Sequence, residues 1–356
     1  MIRLESKGEP SRLFSYLSPV LAMVLTVGTG ALLFELMGKP AGPSLYAYFI
    51  QPFTTLYGAS ELGVKATPLI LIGLGLSVGF RANVWNIGAE GQLTLGAIAG
   101  GALALAFYEV ETPLLLPAMM IAGVLGGMAW AAIPAFLRVK FNANEILVSL
   151  MLTYVALLLL SYLVHGPLRD PDGFNFPESR LFHDSATMPT LISGTRLHWG
   201  AVLAVLAAGA IWLMLSRSML GFQLKILGDA PRAARFAGYR EPKLVWFSLL
   251  LSGGLAGLAG ALEVSGTVGQ LIPTISPGYG FTAIIVAFLG RLHPVGVVIG
   301  GLTMALTYIG GETAQIEIGL PAAVTGLFQG VLLFYLLACD VLINYRLRFG
   351  RRLAIG

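Results

Sequence analysis

Asn83-Val84-Trp85-Asn86-Ile87-Gly88-Ala89-Glu90-Gly91-Gln92 sits between two apolar runs, 69–80 and 93–107, and breaks their pattern with three amides, a carboxylate and two glycines in ten residues. Such residues are a poor choice for facing lipid. A carboxylate at the middle of a bilayer costs about 2.5–3.5 kcal/mol, so Glu90 is expected to face protein, water or a solute path. The glycines allow close backbone approach and weaken the helix locally. Two readings of the stretch stay open: a polar clamp between helices, or a broken-helix site beside a translocation path.

The surrounding chain is that of an integral membrane protein. It has 356 residues, 56% of them hydrophobic and 11% charged, with 45 glycines and a mean hydropathy of +0.80. Glycine at that level in so apolar a chain serves close helix packing in lipid. Pairs four apart, Gly75/Gly79, Gly96/Gly100, Gly123/Gly127, Gly253/Gly257 and Gly296/Gly300, have the spacing for it. The net charge of +4 is no sign of nucleic-acid binding, because the basic residues gather in short segments between apolar runs. The single cysteine, Cys339, excludes an internal disulfide framework.

An apolar stretch of roughly 20 residues spans the ~30 Å hydrocarbon core. By that measure ten spans are expected, at 13–36, 66–80, 91–108, 114–137, 146–165, 199–216, 244–264, 280–290, 294–311 and 321–344. The first is too long for the core of a cleaved signal peptide and reads as a retained helix. The second and eighth are too short for complete helices. Either they extend into flanking polar sequence or they are broken segments within the protein.

Charge sets the orientation. With both termini cytoplasmic, the inner segments carry all of the 22 lysines and arginines except Lys39, Lys65, Arg169, Arg180 and Arg196, as the positive-inside rule requires. The expected organisation is a cytoplasmic segment 1–12, a transmembrane domain 13–344, and a basic cytoplasmic tail 345–356. The proline-rich connection 166–199 falls outside, either as a plain connector or as a docking surface.

The inner connection 217–243 contains Gly228-Asp229-Ala230-Pro231-Arg232-Ala233-Ala234-Arg235-Phe236-Ala237-Gly238. Asp229 is expected to cap a short helix, Pro231 to occupy its first turn and Gly238 to end it. So short a helix needs something to dock on. Arg232 and Arg235 share one face, suited to anionic lipid or to a cytoplasmic partner.

Nothing in the sequence supplies chemistry. There is no G-x-x-x-x-G-K-[ST] loop, and His165, His183, His198 and His293 lack metal-ligand spacing. Glu90 is the main acidic residue within the spans, with Glu35, Glu263 and Asp340 near their ends, too few for the usual proton or sodium relay. A solute path without an engine implies that another subunit is the engine.

The ordered motifs Asn86-Ile87-Gly88-Ala89-Glu90-Gly91-Gln92, Asn144-Glu145-Ile146, the 228–238 loop, Leu251-Ser252-Gly253-Gly254-Leu255-Ala256-Gly257 and Gly278-Tyr279-Gly280-Phe281 resemble one family. It is the permease subunit of bacterial ABC importers for nucleosides and simple sugars, related to the ribose and branched-chain amino-acid permeases. The resemblance covers nearly the whole chain from about residue 60. Thr153-Tyr154, Gly166-Pro167-Leu168 and Phe176-Pro177-Glu178 resemble the nucleoside branch.

The resemblance implies an all-α membrane fold of the type II importer kind, with about ten helices, in the bacterial cytoplasmic (inner) membrane. It implies a second homologous permease, an ABC ATPase holding ATP and magnesium, and an external substrate-binding lipoprotein. No cofactor belongs to this subunit. Gly228, Asp229, Pro231, Arg232, Arg235 and Gly238 become the coupling helix. Asn86, Glu90 and Gln92 line the path or support the broken helix. Asp229 departs from the neutral residue expected there. The solute order is nucleoside, then ribose-like sugar, then branched-chain amino acid. A stand-alone ion-coupled transporter is the alternative.

Overall fold

The structure, a computed structural model, describes residues 2–6 and 12–349, and in it the apolar runs fold as α-helices. In chain order these are α1 (Arg12–Leu36), α2 (Ala41–Phe49), α3 (Leu56–Arg81), α4 (Ala89–Ala106), α5 (Leu115–Phe141), α6 (Glu145–His165) and α7 (Gly200–Arg217). There follow α8 (Met219–Asp229), α9 (Pro231–Phe236), α10 (Glu241–Leu262), α11 (Tyr279–Leu289), α12 (Pro294–Ile318) and α13 (Ala323–Asn344). A short antiparallel pair joins β1 (Ile2–Ser6) to β2 (Tyr345–Phe349). Strand pairing there was not expected, since both segments read as charged tails. Residues 350–356 of the expected tail, and 7–11 of the expected N-terminal segment, lie outside the described residues.

Among the described residues seven helices are long and apolar enough to cross a membrane, fewer than the ten spans expected. The differences have physical causes. The second expected span is 26 residues long rather than 15, because α3 continues into the polar sequence ahead of Ala66. The eighth stays short, as the 11 residues of α11. α4 opens with Glu90 and Gln92, which dilute its apolar character, and the described apolar part of α13 is Ala323–Cys339.

The chain divides into two compact units. One is built from its two ends, up to Thr55 and from Leu306 onward. Its core is Phe34, Tyr48, Ala314, Leu320 and Phe328. The Tyr48 ring stacks on Phe328 with centroids 4.7 Å apart, and its hydroxyl donates to the Thr307 carbonyl at 2.9 Å. An aromatic ring buried with its polar end satisfied is a stable arrangement.

The other unit, Leu56–Ala305, holds the stretch singled out above. α3 is almost entirely buried within it, whereas α5, α6 and α7 leave much of their apolar surface exposed, as lipid-facing helices do. α4, α5 and α10 approach through glycine. A β-carbon on Gly96 would strike the Gly257 backbone, and one on Gly127 would strike Gly253. The small-residue spacing seen in the sequence thus serves helix contact.

Candidate functional site: a buried polar junction and a pair of short helices

α3 ends where Asn83 takes a left-handed conformation (φ 54°) and the Val84 amide closes back on the Gly79 carbonyl at 2.9 Å. Asparagine is one of the few residues that tolerate this geometry at a helix end. The five residues that follow, Val84 to Gly88, lead into α4 and bury the Asn86 side chain.

Asn86 is 1% exposed, and its amide is fully used. Nδ2 donates to Gln92 Oε1 at 2.7 Å and to Ser252 Oγ on α10 at 2.9 Å. Oδ1 accepts from the Gly88 amide at 3.1 Å and from Gln92 Nε2 at 3.0 Å. Buried polar groups satisfied in this way fix a geometry, since each is costly to leave unpaired. Backbone donors of the same turn reach α6: Ile87 N–H to Ser149 Oγ at 3.2 Å and Trp85 N–H to Glu145 Oε1 at 3.4 Å. Glu145 also pairs with Arg138 at the end of α5. Asn144 caps α6, accepting from the Ile146 amide at 2.9 Å.

Glu90, 2% exposed, lies in the first turn of α4 and reaches a second helix start. Its Oε2 accepts the Gly280 amide, the second residue of α11, at 2.6 Å. Ser276 Oγ takes the adjoining Gly278 and Tyr279 amides at 3.1 and 3.0 Å. The carboxyl group therefore sits at the N-terminal ends of two helices, where backbone N–H dipoles favour an acceptor. Gly280 makes this possible: a β-carbon there would collide with the backbone of Ala89 and Glu90. Asn86, Glu90 and Gln92 are thus gathered at one junction of α3, α4, α10 and α11.

The other predicted group lies on α8 and α9, where the expected loop is two helices. Asp229 does not cap α9. The Ala230 amide still bonds the Ile226 carbonyl at 2.9 Å, so α8 runs through Asp229, and Ala230 takes the capping place without a side-chain bond. Pro231 opens α9 as expected. Gly238, with φ 78°, follows its end, where the Tyr239 amide bonds the Ala234 carbonyl at 3.0 Å. Ala234 is buried, while Arg232 and Arg235 are exposed and Phe236 is 94% exposed. Arg235 is held by Glu241 at 3.0 Å. Gly228 presses on the Arg81 carbonyl at the end of α3. With Asp229 it lines a cavity of about 580 Å³, together with Arg81, Asn83, Lys225 and Arg291.

Sequence reasoning missed a charged group at the opposite end of α3. Glu61, almost buried, forms a two-pronged pair with Arg196, whose Nε lies 2.9 Å from Oε1. That hydrogen bond holds the guanidinium above its ordinary value. Glu263 is buried nearby at the start of a π-helical turn, Glu263–Val268. His198, also buried, accepts the Gly200 amide at Nδ1, 3.1 Å away, and burial pushes it down to about 4. The four-residue spacing of Glu61 and Lys65 was a helical signal that the short second span hid. Among the described residues no group of three histidine, cysteine or acidic side chains is placed to hold a metal.

Comparison with known proteins agrees with this membrane architecture. The chain is 36% identical to a glucose ABC transporter permease protein of Haloferax volcanii, over 99% of this chain and 95% of the relative. It is 31% identical to a guanosine ABC transporter permease protein of Bacillus subtilis, over 95% and 96% of the two chains. A second guanosine permease protein of that organism is 25% identical over 69% of this chain and 80% of its own. Residues 58–337 match the family described as branched-chain amino acid transport system / permease component, and to that family of ABC importer permeases this chain belongs.

Proposed function

We propose that this chain is the solute-conducting permease of an ATP-driven importer for a neutral, hydroxyl-rich ring compound, a simple sugar before a nucleoside. The observation that carries the solute is the 36% identity to a glucose permease over 99% of the chain, ahead of the 31% identity to a guanosine permease. This turns round the order read from the sequence, which put nucleosides first.

The proposed arrangement is of the type II kind. Ten helices enter the cytoplasmic membrane (α1, α3–α7 and α10–α13), and both termini lie inside. The basic residues at the ends of α3, α5 and α7 and on α8 and α9 favour that orientation. A second, homologous permease completes the path. The similarity to two different guanosine permease proteins of one organism supports such a pair. An external binding lipoprotein delivers the solute to the side of the 166–199 loop.

Cytoplasmic ATPase subunits supply the energy through α9. Its exposed Arg232 and Phe236, with Arg235, Pro231, Gly238 and the preceding Gly228 and Asp229, form the surface that a motor would grip. The motor shifts the equilibrium only by binding the inward- and outward-open states unequally, so contacts at α9 must differ between them. Asn86, Glu90 and Gln92 hold the helix breaks next to the path and do not bind solute themselves, because their hydrogen-bonding atoms are already engaged.

Uptake of labelled glucose, ribose and guanosine into vesicles holding the chain, its ATPase and companion permease, with binding protein outside, tests the reading. Sugar uptake well above guanosine uptake is expected. Preferred guanosine uptake would move the chain to the nucleoside branch.

A further inference from the structure

Between the π-helical turn Glu263–Val268 and α11 the chain runs without regular structure over 269–278. Its start is fixed beside the C-terminal part of α4. There the Leu271 side chain covers Gly101, whose added β-carbon would meet Leu271 Cγ at 2.7 Å. Leu271 also exchanges hydrogen bonds with Ser179, both at 2.9 Å. Its end is fixed beside the N-terminus of α4, by the Gly280 amide on Glu90. Gly101 and Glu90 are separated by about 16 Å along α4 at the usual rise of 1.5 Å per residue. α11 continues in the same direction, and the turn after it meets the end of α3, where Arg81 Nε donates to the Leu292 carbonyl at 2.9 Å. In the proposed permease this is one crossing of the membrane, about half irregular chain and half helix.

Irregular backbone inside a bilayer has polar groups that must be satisfied. Ile272 and Ile275 close a tight turn, and among the described residues no hydrogen bond reaches the amides of Ile272, Thr274 and Ser276 or the carbonyls of residues 273–277. Ile275 is buried, but Thr274 and Pro277 are exposed. Hydrocarbon offers these groups no partner, and each would cost several kcal/mol there, so unsatisfied backbone at this depth is tolerated only against protein or a water-filled cavity. Water satisfies a row of mixed donors and acceptors whatever their spacing, whereas a protein neighbour would have to match them one by one.

We infer that the exposed side of 272–278 is a wall of the aqueous solute path. Its carbonyls and the Thr274 hydroxyl receive the hydroxyl groups of a neutral polyhydroxylated ring. The lower end of this wall is the N-terminus of α11, otherwise a ready anion site. Glu90 and Ser276 already occupy its amides, so an anionic solute finds no free donor there. The wall offers hydrogen-bond acceptors without a cationic centre, which suits a sugar or the ribose of a nucleoside. The inference rests on the importer reading and assigns the path's surface within it.

Thr274→Cys in a Cys339→Ser background tests it, with the complete transporter in nanodiscs and a charged methanethiosulfonate reagent reaching both faces. Val205→Cys, on an exposed part of α7, is the lipid-facing control. The Thr274→Cys thiol is expected to react at least about tenfold faster than the control, because only a hydrated thiol forms the reactive thiolate. Glucose is expected to slow that reaction, and modification to abolish ATP-driven uptake in vesicles. An unreactive thiol at both Thr274→Cys and Pro277→Cys, with uptake intact, would overturn the inference and show the segment sealed by the companion permease. Fast reaction with no uptake from any set of components would leave the wet wall standing and remove the importer reading.

Discussion

Glu90 and Asn86 stabilise the interior in different ways, and their substitutions separate the two. Glu90→Ala leaves the Gly280 amide buried without its acceptor, a loss of about 1–3 kcal/mol. Glu90→Gln keeps an oxygen in place and is expected to lose less, as thermal unfolding of the purified subunit would show. Asn86→Ala orphans partners on Gln92, Gly88 and Ser252 at once and is expected to cost more than Ser252→Ala. The three polar residues were legible in the sequence because they interrupt apolar runs. Their partners were not. Ser252 and Gly280 lie 166 and 190 residues away in the chain and look locally like ordinary small residues of other helices. His198 carries a prediction in pH. Its folded value of about 4 lies below the ordinary 6.5, so above pH 6.5 the ring is neutral in both states. As pH falls from 6.5 towards 4, only the unfolded chain takes the proton, and stability declines by up to about 3 kcal/mol before levelling off. Amide exchange around residues 190–200 is expected to quicken across that window, and His198→Asn to remove the dependence.

At the scale of elements, α11 and α9 differ in what holds them. α11 begins against the backbone of α4, and Gly280→Ala pushes a β-carbon into Ala89 and Glu90, costing about 1–3 kcal/mol through overpacking. The expected result is a lower unfolding temperature together with weaker transport. α9 has only six residues, too few to persist alone, and is anchored through Ala234, the Arg235–Glu241 pair and the turn at Gly238. Arg232→Glu and Phe236→Ala alter its exposed surface. Both are expected to leave the unfolding temperature unchanged while reducing co-purification with the ATPase and its solute-stimulated turnover. A drop in stability with normal ATPase binding would contradict the coupling role. The sequence showed Pro231 and Gly238 as helix punctuation, since both act through the local backbone. It missed α8, because Met219–Asp229 resembles a basic loop until its buried face at Gly221, Leu224 and Leu227 is seen. It shortened α3 for a related reason: Glu61 looks like loop until Arg196, from the far end of the 166–199 connection, covers it.

For the whole molecule, apolar run lengths located the helices well, and charge distribution supplied an orientation. Neither could reveal the irregular stretch 269–278 ahead of α11, because backbone satisfaction depends on neighbours distant in sequence. The match to an ABC importer permease family over residues 58–337 supports the central proposal, that this chain conducts a solute and a separate ATPase drives it. The most direct test is uptake of labelled glucose into vesicles from which the ATPase, the companion permease and the binding protein are omitted one at a time, with and without an ionophore. Uptake is expected to need ATP and every component and to be indifferent to the ionophore. Uptake by this chain alone, collapsed by the ionophore, would contradict it.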